Sequence, residues 1–204
     1  MQTYKHTLTW LSILAFLTAN FWSCAPSNLL RVHYQLPAKS DALAGKQIFL
    51  TFKDAREKKT ILSDSARENL RDFSEIFTLV VVQASGDEKL LGAYDLSALL
   101  TEAFKRRLQQ SGIQVSEKIQ LKHQIDFVLN RFTLDLEARK WILTMSYQTI
   151  LKEDGALVIS ESINGTAERV KVVGSRDAEK IISELISDTV NKVEITRLFQ
   201  QAGW

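Results

Sequence analysis

HQIDFVLNRFTLDLEA, residues 123 to 138, followed after Arg139 by KWILTMSYQTILKEDG, residues 140 to 155, carries the alternation that decides the fold. Ile125, Phe127 and Leu129 recur at every second position, as the inward set of a half-buried strand does. The phase then slips by one, and Phe132, Leu134 and Leu136 continue the series. A one-residue slip would turn the whole apolar set to water, so one extra residue near Asn130-Arg131 must restore the facing; a β-bulge is predicted there. Trp141, Leu143, Met145, Tyr147 and Thr149 share one face of the next strand, and Lys152 to Gly155 supply the hairpin turn. ALVISESINGTAERVKVV then returns with Leu157, Ile159, Ile163 and Ala167 inward, ending near Val173. Strands of this length in this order form an antiparallel meander.

Two amphipathic helices flank the meander. From about Leu96 to Ser111, Leu96, Leu99, Leu100, Ala103, Phe104 and Leu108 form one stripe, with Asp95 or Ser97 to cap the start and Gly112 to end it. From about Arg176 to Phe199 the stripe is Ala178, Ile181, Ile182, Leu185, Thr189 and Val193. Upstream, QIFLTFKDAR (47 to 56) alternates as a strand, and IFTLVVVQ (76 to 83) has the continuous β-branched run of a strand covered on both faces. The charged stretch between them fits a short helix after Ser63 or Asp64, and Ser85-Gly86-Asp87 fits a turn. Ile113 and Val115 open another short strand. The glycines at 86, 92, 112, 155, 165 and 174 fall at turns or element ends in this reading. The expected fold is a two-layer α+β domain, an antiparallel or mixed sheet with both long helices on one face.

The N-terminus has a different character. MQTYKHTLTWLSILAFLTANFWSC has a weakly cationic start at Lys5 and an apolar core from about Leu8 to Leu17, the layout of an export signal. That core is shorter than the roughly 20 apolar residues of a spanning helix. Cys24 is the only cysteine among 204 residues, so no internal disulfide is available and the thiol is better explained by acylation than by redox chemistry. Ser23-Cys24 resembles a lipobox, with Phe21 and Trp22 where such motifs carry Leu and a small residue. Cleavage before Cys24 with lipidation, ordinary cleavage after Ala25, and an uncleaved anchor are the three fates this region admits; the first is the favoured expectation. The domain plan is therefore a signal peptide over 1–23, a lipidated N-terminus and tether over 24–46, and a single domain over 47–200. The tether contains both prolines and short apolar patches at Leu29-Leu30 and Val32 to Tyr34 that could dock on the domain.

The formal charge of +2 falls to +1 once Lys5 leaves with the signal, a balance that predicts no nucleic-acid partner. Only His33 and His123 remain beyond the signal, and no second cysteine joins them, so no metal site and no cofactor is expected. No Gly-x-Ser-x-Gly elbow or glycine-rich phosphate loop is present, and the carboxylate pairs Asp135 with Glu137 and Asp87 with Glu88 suit solvated faces or turns. Trp141 and Tyr147 belong to the core rather than to a ligand cage. Asn164-Gly165-Thr166 fits a glycosylation acceptor, a match that a bacterial lipoprotein signal makes idle. Asp54-Ala55-Arg56 is the one local polar motif that stands out. It is either a structural ion pair closing a strand or a partner-binding site.

The lipobox-like cysteine, the strand ending in Asp54-x-Arg56, the AFKRRLQQSGIQV passage from helix to strand, the meander and the C-terminal helix together resemble the YajG-like lipoproteins of Gram-negative bacteria. The resemblance implies an outer-membrane lipoprotein facing the periplasm. A related likeness is to the auxiliary lipoproteins of ABC-type transport systems. The expectation is thus a non-enzymatic envelope lipoprotein held to the membrane by acyl chains such as palmitate, binding another envelope protein or a lipid-like ligand. The alternatives are an accessory to an inner-membrane permease in a transport complex and, as a minor option, a hydrolase. Ala25 after the cysteine, instead of Asp, resembles the outer-membrane sorting signal.

Overall fold

The computed structural model describes residues 29–116, 121–172 and 174–204. The expected signal peptide and Cys24 lie outside the described residues. The elements are β1 (Leu30–Gln35), β2 (Gln47–Asp54), α1 (Asp64–Asn69), β3 (Phe77–Val82), β4 (Glu88–Tyr94), α2 (Leu96–Gln110), β5 (Gln114–Ser116), β6 (His123–Glu137), β7 (Lys140–Glu153), β8 (Ala156–Val170), α3 (Gly174–Asn191) and α4 (Ile195–Gln201).

The α+β class is as the alternation and the two helical stripes require. β6, β7 and β8 form the antiparallel meander, and β2 and β5 extend it by parallel pairing in the order β5-β2-β6-β7-β8. The bulge falls where the phase slips: the β6–β7 register passes from Leu129 opposite Tyr147 to Arg131 opposite Ser146, leaving Asn130 as the extra residue. Phe127 and Phe132 thereby both turn into the core. α2 packs on β2 and β5, and α3 packs on β7 and β8. Phe104 of α2 stacks on Phe127 with ring centroids 3.7 Å apart and meets Tyr147 edge-on at 5.0 Å. The Asp95 side chain caps α2 through Ala98 N–H at 2.8 Å, and Gly112 takes the positive φ of 88° beyond its end.

Three features differ from the sequence expectation. The strands divide into two sheets, the second being three-stranded with the order β1-β3-β4. Its β1 lies inside the stretch expected to be tether. Leu30, Val32 and Tyr34 alternate inward at period two, and burying them fixes that stretch as a strand parallel to β3. Finally, the C-terminal helix is broken at residues 192–194 into α3 and α4, and Val193 at the break is buried.

α3 binds the edge of β1 through a polar stripe. The N–H groups of Arg31, His33 and Gln35 donate to Glu179 Oε1 at 2.8 Å, Ser183 Oγ at 2.9 Å and Ser187 Oγ at 3.0 Å. Asn191 Nδ2 donates to Gln35 O at 2.8 Å. The match is one of pitch. Four helical residues advance about 6.0 Å and two strand residues about 6.6 Å, so every fourth residue of α3 meets every second residue of β1. Side chains thus replace the missing neighbouring strand. Ser187→Ala leaves the Gln35 N–H without its acceptor and should destabilise the domain by about 1 kcal/mol. Urea unfolding would read the loss, and amide exchange should quicken at Gln35.

A half-buried arginine joins the layers at the far end of this stripe. Arg107 of α2 donates to Ser111 Oγ at 2.7 Å and to Val193 O, just beyond α3, at 3.2 Å. Beside it, Tyr34 OH donates to Asn191 Oδ1 at 2.9 Å and Tyr147 OH to Thr189 O at 2.7 Å. Burial pushes both phenols well above their ordinary range, so they remain neutral donors.

Candidate functional site

The fold assembles three polar constellations: the end of β2, the uncovered face of β2 and β6, and the groove between β1 and α3. At the first, Arg56 Nε and Nη2 fork onto Asp54 Oδ1 and Oδ2 at 3.0 and 2.9 Å, and Arg56 N–H also donates to Oδ1 at 3.1 Å. Nη1 reaches Phe132 O at 3.4 Å, and Lys59 Nζ lies 3.2 Å from Asp54 Oδ1. Burial alone would raise the Asp54 pKa. The hydrogen bonds from Arg56 and Lys59 outweigh it and hold the carboxyl at about 2.

The β6 bulge explains why an arginine stands here. β2 follows β6 as far as Ala55 N–H on Leu129 O, at 2.8 Å. The chain then leaves, and returns where Leu134 N–H donates to Ile61 O at 2.8 Å and Ser63 N–H to Leu134 O at 3.0 Å. Arg56 fills the gap between, holding the Phe132 carbonyl that no strand reaches. A cleft of about 470 Å³ opens over this staple, lined by Arg56, Lys58, Asn130 and Arg131 among others. Asp54 and Arg56 are brought together, and with Arg56 only 7% exposed their charges are spent on each other.

The second constellation carried no sequence signal. Asp126 of β6, 7% exposed, accepts from Thr51 Oγ1 at 2.6 Å and Gln124 Nε2 at 2.5 Å and pairs with Lys152 Nζ at 2.6 Å. Burial would raise its pKa, but Lys152, Thr51 and Gln124 lower it below the usual carboxylate value. The cluster joins β2, β6 and β7 across a face that carries no long helix, and all its polar atoms named here are engaged with one another.

The third is a wide groove. A groove of about 870 Å³ runs between β1 and α3, lined by Arg31, His33, Thr78, Arg176, Lys180 and Asp188 among others. Of its carboxylates, Glu179 accepts from the Arg31 N–H and Glu184 pairs with Arg169. Arg31, Arg176 and Lys180 form no salt bridge among the described residues, so the groove offers three cations beside a strand that begins the described chain.

The remaining candidate residues are dispersed. His33 is in this groove, whereas His123 lies at the start of β6, 4.3 Å from the Trp204 ring and 3.8 Å from Glu153. Asp135 accepts from Ser63 and Ser65 at the start of α1, and Asp87 accepts from Ser85 in its turn. Trp141 and Tyr147 are fully buried in the core. Gly165 is not at a turn: it lies in the middle of β8, beneath α3. Among the described residues no three His, Cys, Asp or Glu groups are placed to hold a metal ion, and no helix is long and apolar enough to cross a membrane.

No family model matches the sequence, and no curated protein does. Among solved structures the fold is similar to that of protein XCC0632 from Xanthomonas campestris, described under DUF330. The TM-score is 0.52 at 12% identity, over 84% of this chain and 96% of that one. Weaker likenesses are to the hypothetical protein CT253 from Chlamydia trachomatis, with a TM-score of 0.44 at 8% identity over 78% of this chain and 98% of that one, and to the rare lipoprotein B from Shewanella oneidensis, with 0.43 at 8% over 76% and 97%. At these identities it is the fold that is shared: the chain is an α+β domain similar in architecture to XCC0632.

Proposed function

We propose that this chain is a non-enzymatic lipoprotein of the bacterial envelope, cleaved before Cys24, acylated there, and held on the periplasmic side of the outer membrane as a binding or assembly module. The observation that carries the reading is the single thiol placed directly behind a short apolar run. One acyl chain binds a bilayer only marginally, whereas several on one residue anchor it stably. Where the domain begins adds support. β1 starts at Leu30, and the six-residue step from Cys24 to Leu30 spans at most about 22 Å. The anchored domain therefore has its β1–α3 groove beside the bilayer, where Arg31, Arg176 and Lys180 are available to an acidic partner or headgroup.

In cells fed labelled palmitate, the wild-type chain should incorporate label and fractionate with the outer membrane. Cys24→Ser should carry no label. A wild-type chain that stays unlabelled would remove the anchor from the account.

A further inference from the structure

Four strands end the two sheets, and three of those edges are guarded. β1 is covered by the side chains of α3, β5 is three residues long, and β4 carries Glu88 and Lys89 and a register break opposite Leu79 and Val80. β8 is different: it is fifteen residues long, without proline or lysine. Lys171 N–H donates to Arg139 O at 2.8 Å, and the β7–β8 register runs unbroken from Val170 to Ile159. Antiparallel ladders bond alternate residues. The odd-numbered residues of β8 are therefore bonded to β7, and Ser160, Ser162, Asn164, Thr166, Glu168 and Val170 aim their N–H and C=O groups outward. Among the described residues no hydrogen bond reaches the backbone of these six.

We infer that β8 pairs antiparallel with β8 of a second copy of this chain, about a two-fold axis through Gly165, joining the two five-stranded sheets into one. Outward groups must meet outward groups, which restricts the register to steps of two, and charge selects among them. With Gly165 on the axis, Glu161 lies opposite the partner copy's Arg169, and the same pair recurs across the axis. Moving the axis to Asn164 puts Glu161 opposite Ala167; moving it to Thr166 puts Arg169 opposite Ile163. Both charged groups have unspent capacity. Glu161 Oε1 accepts from Arg197 at 2.5 Å while Oε2 is buried with no partner. Arg169 Nη2 pairs with Glu184 while Nε is buried with no partner. In this register the two residues form a non-hydrogen-bonded pair, the kind whose Cα atoms stand only about 4.5 Å apart. The helices also fit. α3 packs over both β7 and β8, so with strands about 4.8 Å apart its axis and that of its mate stand about 10 Å apart, an ordinary helix-packing distance.

This inference does not rest on acylation of Cys24, and its test separates the two. The full chain, made in a Gram-negative host and extracted in mild detergent with reductant so that Cys24 links nothing, is measured by light scattering for the mass of its protein part. A dimer is expected. Thr166→Pro removes an outward N–H and no β7–β8 bond, and should give a monomer with an unchanged circular dichroism spectrum. Glu161→Arg and Arg169→Glu should each be monomeric alone and should form a one-to-one heterodimer when mixed, a rescue that misfolding of either variant would not produce. A wild-type chain that is monomeric at tens of micromolar, a different protein chain seated on β8, or a dimer indifferent to all three substitutions would overturn the proposal. A dimer with an unmodified Cys24 would sustain it while removing the anchor.

Discussion

Gly165→Val is expected to destabilise the domain by about 3 kcal/mol or more, at the upper end for overpacking a core. A Cβ at this position would stand 2.3 Å from Thr189 Cγ2 and 2.9 Å from Leu185 Cδ1, distances that no ordinary contact allows. Thr189 cannot easily withdraw. Thr189 Oγ1 donates to Leu185 O at 2.6 Å and contacts Met145 Sδ at 3.2 Å, while Tyr147 OH holds Thr189 O at 2.7 Å. The glycine is thus needed for the approach of α3 to β8 and for no turn. Gly165→Ala should lose about 2 kcal/mol. Thr189→Ser, which removes the clashing methyl and keeps the hydroxyl, should recover a large part of it, giving a coupling that urea unfolding of the two single variants and the double variant would measure. A Gly165→Val protein as stable as wild type would mean that α3 does not lie on this strand.

Arg56→Ala should remove about 3 kcal/mol, because it leaves Asp54 without its fork and the Phe132 carbonyl without its donor. Arg56→Lys should recover little, since a compact ammonium lacks the planar fork that spans both carboxylate oxygens while Nη1 faces the Phe132 carbonyl. The same pair sets an acid limit. The Asp54 carboxyl lies at about 2 in the folded chain, below its ordinary 3.8. Its contribution is complete above about pH 4 and is lost as the pH falls from about 4 to 2. Wild type should lose stability across that window, and Arg56→Ala should show a shallower loss there. Equal acid sensitivity in the two proteins would detach Asp54 from the staple.

Much of this was legible in the chain because it follows from periodicity. The slip between Leu129 and Phe132 placed the bulge at Asn130, and the stripe from Leu96 to Leu108 placed α2 with its cap. The hidden parts are those whose cause lies far away in sequence. β1 has only three inward residues, Leu30, Val32 and Tyr34, and its edge is covered from residues about 150 positions later. The β6–β7 turn uses Ala138 and Arg139 at φ of 44° and 68°, where Asn-Gly is the pair that normally announces such a turn. Gly165 looks like punctuation until α3 is laid over it. Asp54 and Arg56 were visible as a motif, but why an arginine is needed there becomes clear only when the bulge in β6 is seen to leave a carbonyl unpaired. Asp126 gave no local sign, since its partners come from three strands. A signal for the β1 cover did exist: Glu179, Ser183, Ser187 and Asn191 recur at intervals of four beside the apolar stripe.

The anchor at Cys24 is the claim on which the cellular setting depends, and the intact mass of the chain extracted from membranes tests it most directly. The expected mass is that of a polypeptide beginning at Cys24 and increased by a diacylglyceryl group on its sulfur and a fatty acyl group on its amine. A chain that begins at another residue, with Cys24 absent or unmodified, would contradict it.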